Sequence, residues 1–412
     1  MKVLITNATT EKGGAARATI RNYNALKKAG LDIQLVADRT RPEQTDYISF
    51  NHSWLKDKYH RYINRKERAY IHKHVKKGSG YWSLSANNRY NLKKGLLSHN
   101  ADVIHLNWIN DNFLSIGELA QINTPVVWTF HDMWAFTGGC HYTGECLGYL
   151  SNCSDCPSVL EGKNKQFTSH LHQKKMEAIH NLDVSVVCPS SWMAEKAKES
   201  AIFSQNVRIE VIPNCLDTDV YKPYPVQEKE NNKKRVLFGA VNSLDDERKG
   251  GKYLLEGLRL LANDESIANE IELMVFGSDK NNELQNLPFP VKFMGFINNE
   301  EQLANIYSSA DLFVVTSKED NLPNTILESL ACGTPVVAYN RGGIKDMVKH
   351  KVNGYLAMPF DSSDFVAGIK HVLFEADQSE LLNNCRKLIL DNFSELAVAQ
   401  KHIKLYQEIT NK

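Results

Sequence analysis

Two carboxylates, Asp320 and Glu328, stand eight positions apart in the run from Ser317 to Val336. Pro323 suits the first turn of a helix, where its missing N–H costs nothing. Gly333 suits the left-handed position just past a helix end, and Pro335 forbids continuation. The spacing therefore predicts Asp320 on a loop, Glu328 on the short helix after it, and a buried strand from Val336 to Ala338. An open helix N-terminus beside a polar loop is an anion site. A carboxylate close by can accept hydrogen bonds from hydroxyls. Together they suit a nucleotide sugar, with its diphosphate and its many hydroxyls. The plainer alternative is a charged loop and an ordinary helix with a surface glutamate.

Other positions offer matching chemistry. Gly13 and Gly14 lie between an apolar run and a helical pattern, where glycines let a backbone approach a ligand and leave helix N–H groups available. A simple tight turn is the alternative. Arg248 and Lys249 precede Gly250-Gly251 shortly after a run that ends at Gly239. Cations there would neutralise charge building on a leaving diphosphate, or form a solvated basic pair. His131 follows the apolar run Val126–Phe130, so it sits at a strand end, followed by Asp132. It can donate to a sugar hydroxyl, or be a core histidine satisfied by backbone. His105 is the weaker candidate. Trp108, Trp134 and Tyr142 could stack on sugar rings, though most tryptophans pack.

The elements that must hold these residues are legible as alternation. Apolar runs at Val3–Ile5, Ile33–Val36, Val103–Leu106, Val126–Phe130, Val184–Val187 and Ile209–Ile212 alternate with helical patterns. A second series follows at Val236–Gly239, Glu272–Phe276, Val291–Met294, Leu312–Val315 and Val336–Ala338. Such alternation predicts an α/β chain with two doubly wound parallel sheets, each binding ligands at the carboxyl ends of its strands. The polar stretch Tyr221–Lys234 reads as a linker. The expected domains are therefore 1–222 and 235–394. At 412 residues two domains are the prior. A hydrophobic share of 42%, a charged share of 24% and a formal net charge of +1 describe a globular chain with no global field for nucleic acid. No apolar run reaches the roughly 20 residues of a membrane helix, and Met1–Thr6 is too short for a secretory signal. The expected location is cytoplasmic.

Two motifs stand apart. Cys140, Cys146, Cys153 and Cys156 end in a C-x-x-C pair, which fits a tetrahedral structural zinc with His141 as a spare ligand. Disulfide pairing and four free thiols are the alternatives. The stretch Lys56–Lys77 is rich in lysine and arginine, with Tyr59, Tyr62, Ile63, Tyr70 and Ile71 interleaved. As a helix it fits docking on the anionic inner face of a membrane. A solvated helix packing through its tyrosines is the alternative.

The Ser317–Val336 segment resembles the E-x7-E region of family 4 retaining glycosyltransferases, with Asp320 in place of the usual first glutamate. Lys249 before a glycine, the Gly13-Gly14 pair and His131 at its strand end resemble that family too. So do Arg341–Asp346, similar to its Gly-Gly-x-Pro-Glu turn, and Val211–Asp217, similar to its Pro-Asn-Gly-Val-Asp segment. Gly239-Ala240 departs from the family's Gly-Arg pair, so that either Arg248 substitutes or the second cation comes from elsewhere. The resemblance implies the GT-B fold: two Rossmann-like domains facing across a cleft, with the helix at 395–412 crossing back to the first. It implies transfer of a hexose, with retention, from a UDP- or GDP-hexose to a saccharide or lipid-linked acceptor, in cell-surface polysaccharide assembly. Glu328 would hold the ribose. Lys249 and Arg248, with Gly13 and Gly14 beside them, would hold the diphosphate. Asp320 and the backbone of Asn321, Leu322, Pro323 and Asn324 would meet the transferred sugar, and His131 would close over it. No metal is implied for the chemistry. The alternatives are a sugar-nucleotide epimerase on the same scaffold and a non-catalytic nucleotide-sugar-binding protein.

Overall fold

The computed structural model describes residues 1–10, 13–39, 47–49, 54–85, 92, 96–203, 207–225, 232–240, 246–277 and 284–411. Residues 226–231 of the expected linker lie outside them. Contacts divide the chain into two units, Met1–Cys215 with Val398–Lys412, and Leu216–Ala397.

The first unit is built on a parallel sheet of β1 (Lys2–Thr9), β2 (Asp32–Arg39), β3 (Ile48–Ser49), β4 (Val103–Leu106), β5 (Val126–Thr129), β6 (Val184–Cys188) and β7 (Arg208–Val211). Their order is β3-β2-β1-β4-β5-β6-β7. Val3 sits opposite Ile33 on one side and Val103 on the other. Helices α1 (Gly14–Lys28), α2 (Trp54–His74) and α3 (Gln166–His180) belong to this unit. The second unit's sheet holds β8 (Lys234–Ala240), β9 (Ile271–Gly277), β10 (Val291–Gly295), β11 (Leu312–Val315), β12 (Val336–Tyr339) and β13 (Gly354–Ala357). Their order is β10-β9-β8-β11-β12-β13. Its helices include α4 (Gly251–Ala262), α5 (Asn324–Ala331) and α6 (Gln378–Asn392).

These strands are the apolar runs of the sequence because helices cover both faces of a parallel sheet. Val3, Leu4, Ile5, Val314 and Val336 are fully buried. In each sheet the winding direction reverses once, between β1 and β4 and between β8 and β11. Such switch points leave a crevice at the strands' carboxyl ends where ligands bind. Two strands escaped the sequence reading. β3 is two residues long, and β13 is a half-buried edge strand without an apolar run.

The final helix α7 (Glu395–Thr410) starts in the second unit and buries Val398, Ala399, Leu405, Tyr406 and Ile409 beside Val3, Ile5, Leu26 and Leu35 of the first. His105 of β4 ties it down. Its Nδ1 lies 2.7 Å from the Tyr406 hydroxyl and its Nε2 2.7 Å from Thr129 Oγ1. The chain leaves the first unit at Cys215 rather than at the expected residue 222. Leu216 and Tyr221 are buried in the second unit's core. Arg386 of α6 clamps that stretch by donating to the carbonyls of Thr218 (2.8 Å) and Tyr221 (2.7 Å).

Candidate functional site

At the switch point of the second sheet, the chain after β8 meets the chain after β11. Asp246 caps a short turn, Glu247–Lys249, by accepting from the Arg248 N–H. Gly250 then takes φ +69 and opens α4. A Cβ there would stand 2.0 Å from the Thr316 carbonyl oxygen, so only glycine lets the two loops close. The Lys318 N–H donates to the Arg248 carbonyl at 2.8 Å and completes the seam.

This seam brings Arg248, Lys249 and Asp320 together. Lys249 Nζ lies 2.5 Å from Asp320 Oδ2, and Arg248 Nη1 lies 3.4 Å from the same oxygen. Arg248 also donates to the Glu319 carbonyl at 2.8 Å. Asp320 is buried. Burial alone would raise its pKa, but Lys249 and Arg248 outweigh that and hold the carboxyl below its usual value. The Arg341–Gly343 turn closes over its backbone. Gly343 N–H donates to the Asp320 carbonyl at 3.0 Å, and a Cβ on Gly342 (φ +59) would stand 2.1 Å from that oxygen.

Asn321, Leu322 and Pro323 are buried beyond Asp320, and α5 begins at Asn324. Pro323 occupies the capping position, one residue before the expected first turn. Its carbonyl accepts the Ile326 N–H at 3.1 Å. Glu328 is fully buried, with the Tyr307 hydroxyl 3.4 Å from Oε2. The surface-glutamate alternative therefore falls. Burial and Glu328 both hold the Tyr307 phenol protonated.

In the first unit, α1 starts at Gly14 with Gly13 at its cap. His131 lies two residues past β5, with Nε2 2.9 Å from Asn107 Oδ1. Burial pushes its pKa down to about 4 against the pull of Asp132, so the ring is neutral near pH 7. Asp132 Oδ2 meets His141 Nδ1 at 2.7 Å. Trp134 is buried, donates to the Ser83 carbonyl at 2.7 Å and carries the Lys175 ammonium 3.7 Å above its ring. It is not exposed to stack on a sugar. Tyr142 stacks on Trp192 instead.

Cys140, Cys146, Cys153 and Cys156 form no disulfide. Cys146 Sγ accepts the Gly148 N–H at 3.4 Å. Burial raises the Cys140 thiol, and that of Cys153 to about 12. Among the described residues no three His, Cys, Asp or Glu side chains are set to hold a metal.

Asp246, Tyr307 and Asn107 were missed by the sequence reading. Asp246 had a readable signal, an Asp two positions before a basic pair and a glycine, which marks a cap. The other two act through the fold and have none.

The family model described as Glycosyltransferase Family 4 matches residues 12–220, and that described as Glycosyl transferases group 1 matches residues 235–375. The chain belongs to glycosyltransferase family 4. This family-4 chain is 28% identical over 186 residues to an uncharacterized glycosyltransferase of Methanocaldococcus jannaschii, covering 43% of this chain and 46% of that one. It is 25% identical over 225 residues to the UDP-Gal:alpha-D-GlcNAc-diphosphoundecaprenol alpha-1,3-galactosyltransferase of Escherichia coli, covering 51% of this chain and 57% of that one. The chain thus spans about half the length of these curated relatives. Among solved structures it resembles HepE of Anabaena in complex with UDP, with a TM-score of 0.65 and 15% identity, over 99% of this chain and 100% of that one. The likeness runs along the whole chain, and the fold is GT-B.

Proposed function

We propose that the protein is a retaining glycosyltransferase that moves a hexose from a UDP- or GDP-linked donor to an acceptor hydroxyl, in cell-surface polysaccharide synthesis. The observation that carries the reading is the convergence of Lys249 and Arg248 on Asp320 at the second sheet's switch point. Two cations held there before any ligand arrives are preorganised for a leaving diphosphate, so no reorganisation is needed during reaction. Asp320 keeps them in place. His131, a neutral ring, can exchange hydrogen bonds with a sugar hydroxyl. Glu328 would receive the ribose hydroxyls in place of the Tyr307 hydroxyl. Family membership and the UDP held by the HepE structure support the donor class. The Escherichia coli relative's diphosphoundecaprenol-linked acceptor supports a lipid-linked acceptor.

A membrane-facing role for α2 belongs to the same reading. Trp54, Leu55, Tyr59 and Tyr62 are exposed, with Lys58 over the Trp54 ring and Lys66 over the Tyr62 ring. No described helix is long and apolar enough to cross a membrane, so attachment would be at the surface. A structural zinc in the four-cysteine loop would require its sulfurs to draw together and lose their protons. The C-x-x-C spacing supports it.

The test of function is a panel of nucleotide sugars with lipid-linked and free saccharide acceptors, the product's anomeric configuration being read by NMR. Acceptor-dependent transfer with retention is expected. Donor turnover that ignores the acceptor, an inverted product, or donor binding with no turnover under any acceptor would each overturn the proposal.

A further inference from the structure

The first unit holds a cavity of about 490 Å³ that no assigned role uses. It opens beside the switch point of the first sheet, where the loop after β4 carries Asp111 and Asn112. Both residues are left-handed, at φ +55 and +58, which costs free energy for residues with a Cβ. They put two polar side chains on the cavity wall. Asp111 Oδ1 accepts from the Tyr81 hydroxyl at 3.1 Å, and Asn112 Nδ2 donates to Asn64 Oδ1 at 2.6 Å. On α2, Glu67 Oε1 accepts the Leu84 and Ser85 N–H groups at 2.8 and 3.3 Å, while its Oε2 is buried with no hydrogen-bond partner. A ligand hydroxyl would satisfy that oxygen. Tyr81 is 52% exposed and offers a ring face. Around the rim Arg68, His72, Lys76 and Lys77 are exposed.

Both motifs left over from the sequence meet here. The basic stretch supplies the cations, and the four-cysteine loop braces the opposite wall. Trp82 bridges Cys140, Val75 bridges Val159, and Lys76 N–H donates to the Ser158 carbonyl at 2.8 Å. The Tyr81 and His141 rings lie 4.7 Å apart, and His141 meets Asp132 beside His131.

The geometry points to this cavity as the binding site for a sugar carrying an anionic group, a phosphate or a carboxylate. Hydroxyl partners at Asn64, Glu67, Asp111 and Asn112 and the face of Tyr81 take the ring. Arg68, Lys76 and Lys77 take the charge, Arg68 with the fork geometry suited to phosphate and carboxylate. Its volume fits the range of ordinary small-ligand sites. The inference deepens the transferase reading, on which it rests for its role: the cavity would hold the acceptor's sugar.

The test is calorimetry on the full-length protein at low salt. The probes are glucose 1-phosphate, which stands for phosphate-linked carriers, and glucuronic acid, which stands for acidic glycan ends. Glucose and inorganic phosphate are the comparisons, and UDP and GDP are titrated separately. At least one anionic sugar is expected to bind roughly tenfold or more tighter than glucose and than phosphate. Which one binds assigns the source of the charge. Arg68→Ala with Lys77→Ala should remove that advantage, and Tyr81→Ala should weaken whichever anionic sugar binds. All these variants should keep the wild-type melting temperature and nucleotide affinity. Equal binding of glucose, equal binding of phosphate alone, or full anionic-sugar affinity in the double variant would overturn the inference. Absence of nucleotide binding with the sugar arms intact would instead remove the transferase reading and leave the cavity's ligand standing.

Discussion

Lys249 and Asp320 form a matched pair: the carboxylate holds the ammonium where a diphosphate would need it, and the ammonium keeps the buried carboxylate ionised. Lys249→Ala should therefore lower kcat of transfer about a hundred- to a thousandfold, measured against the donor that the wild type uses. An unchanged kcat would remove Lys249 from the chemistry. Asp320 and Lys249 were visible in the sequence because a carboxylate before a proline-capped helix and a lysine before a glycine pair are local patterns. Their contact was not visible. It joins positions 71 apart through the seam at Gly250 and Thr316, and only the parallel pairing of β8 with β11 brings those loops together. The burial of Glu328 was hidden for the same reason, since Tyr307 reaches it from another helix.

At the scale of elements, α7 is held to the first unit by buried histidines that stay neutral. Burial pushes the His402 pKa from 6.5 down to about 3, and His105 is also held well below its usual value. His402 Nε2 lies 3.3 Å from Asn22 Nδ2, and His402 Nδ1 is buried with no hydrogen-bond partner. The unfolded chain takes up these protons below about 6.5 and the folded one does not. The stability they contribute is thus complete above pH 6.5 and is lost as the pH falls towards 3. Denaturant midpoints should drop between pH 7 and pH 4.5, and His402→Gln should make that drop shallower. An identical drop in the variant would contradict the assignment. The four-cysteine loop has its own check in elemental analysis of the purified protein. About one zinc per chain, lost in Cys153→Ser, supports the metal proposal, and a metal-free protein whose eight cysteines all titrate as thiols rejects it. The buried strands were legible in the sequence because each is an apolar run. β13 was not, because its four residues open on Gly354 and hold no β-branched side chain, which leaves a weak strand signal.

For the whole molecule, two alternating series of strands and helices announced two doubly wound units. The crossing point at Cys215 was not legible, because it depends on Arg386 gripping carbonyls more than 160 positions earlier. The exposed aromatic and basic face of α2 predicts that the protein sediments with vesicles containing anionic lipid, less so at high salt, and not with neutral ones. Equal recovery with both kinds would reject membrane docking. The most direct measurement is calorimetric titration of UDP and GDP into the wild type, Lys249→Ala and Glu328→Gln. One of the two nucleotides should bind the wild type. Lys249→Ala should weaken it about ten- to hundredfold, as loss of a charged hydrogen bond requires, with a smaller effect on the matching monophosphate. Glu328→Gln should weaken diphosphate and monophosphate alike. Absence of binding by either nucleotide, or undiminished affinity in Lys249→Ala, would contradict the placement of a nucleotide-linked donor in the second unit.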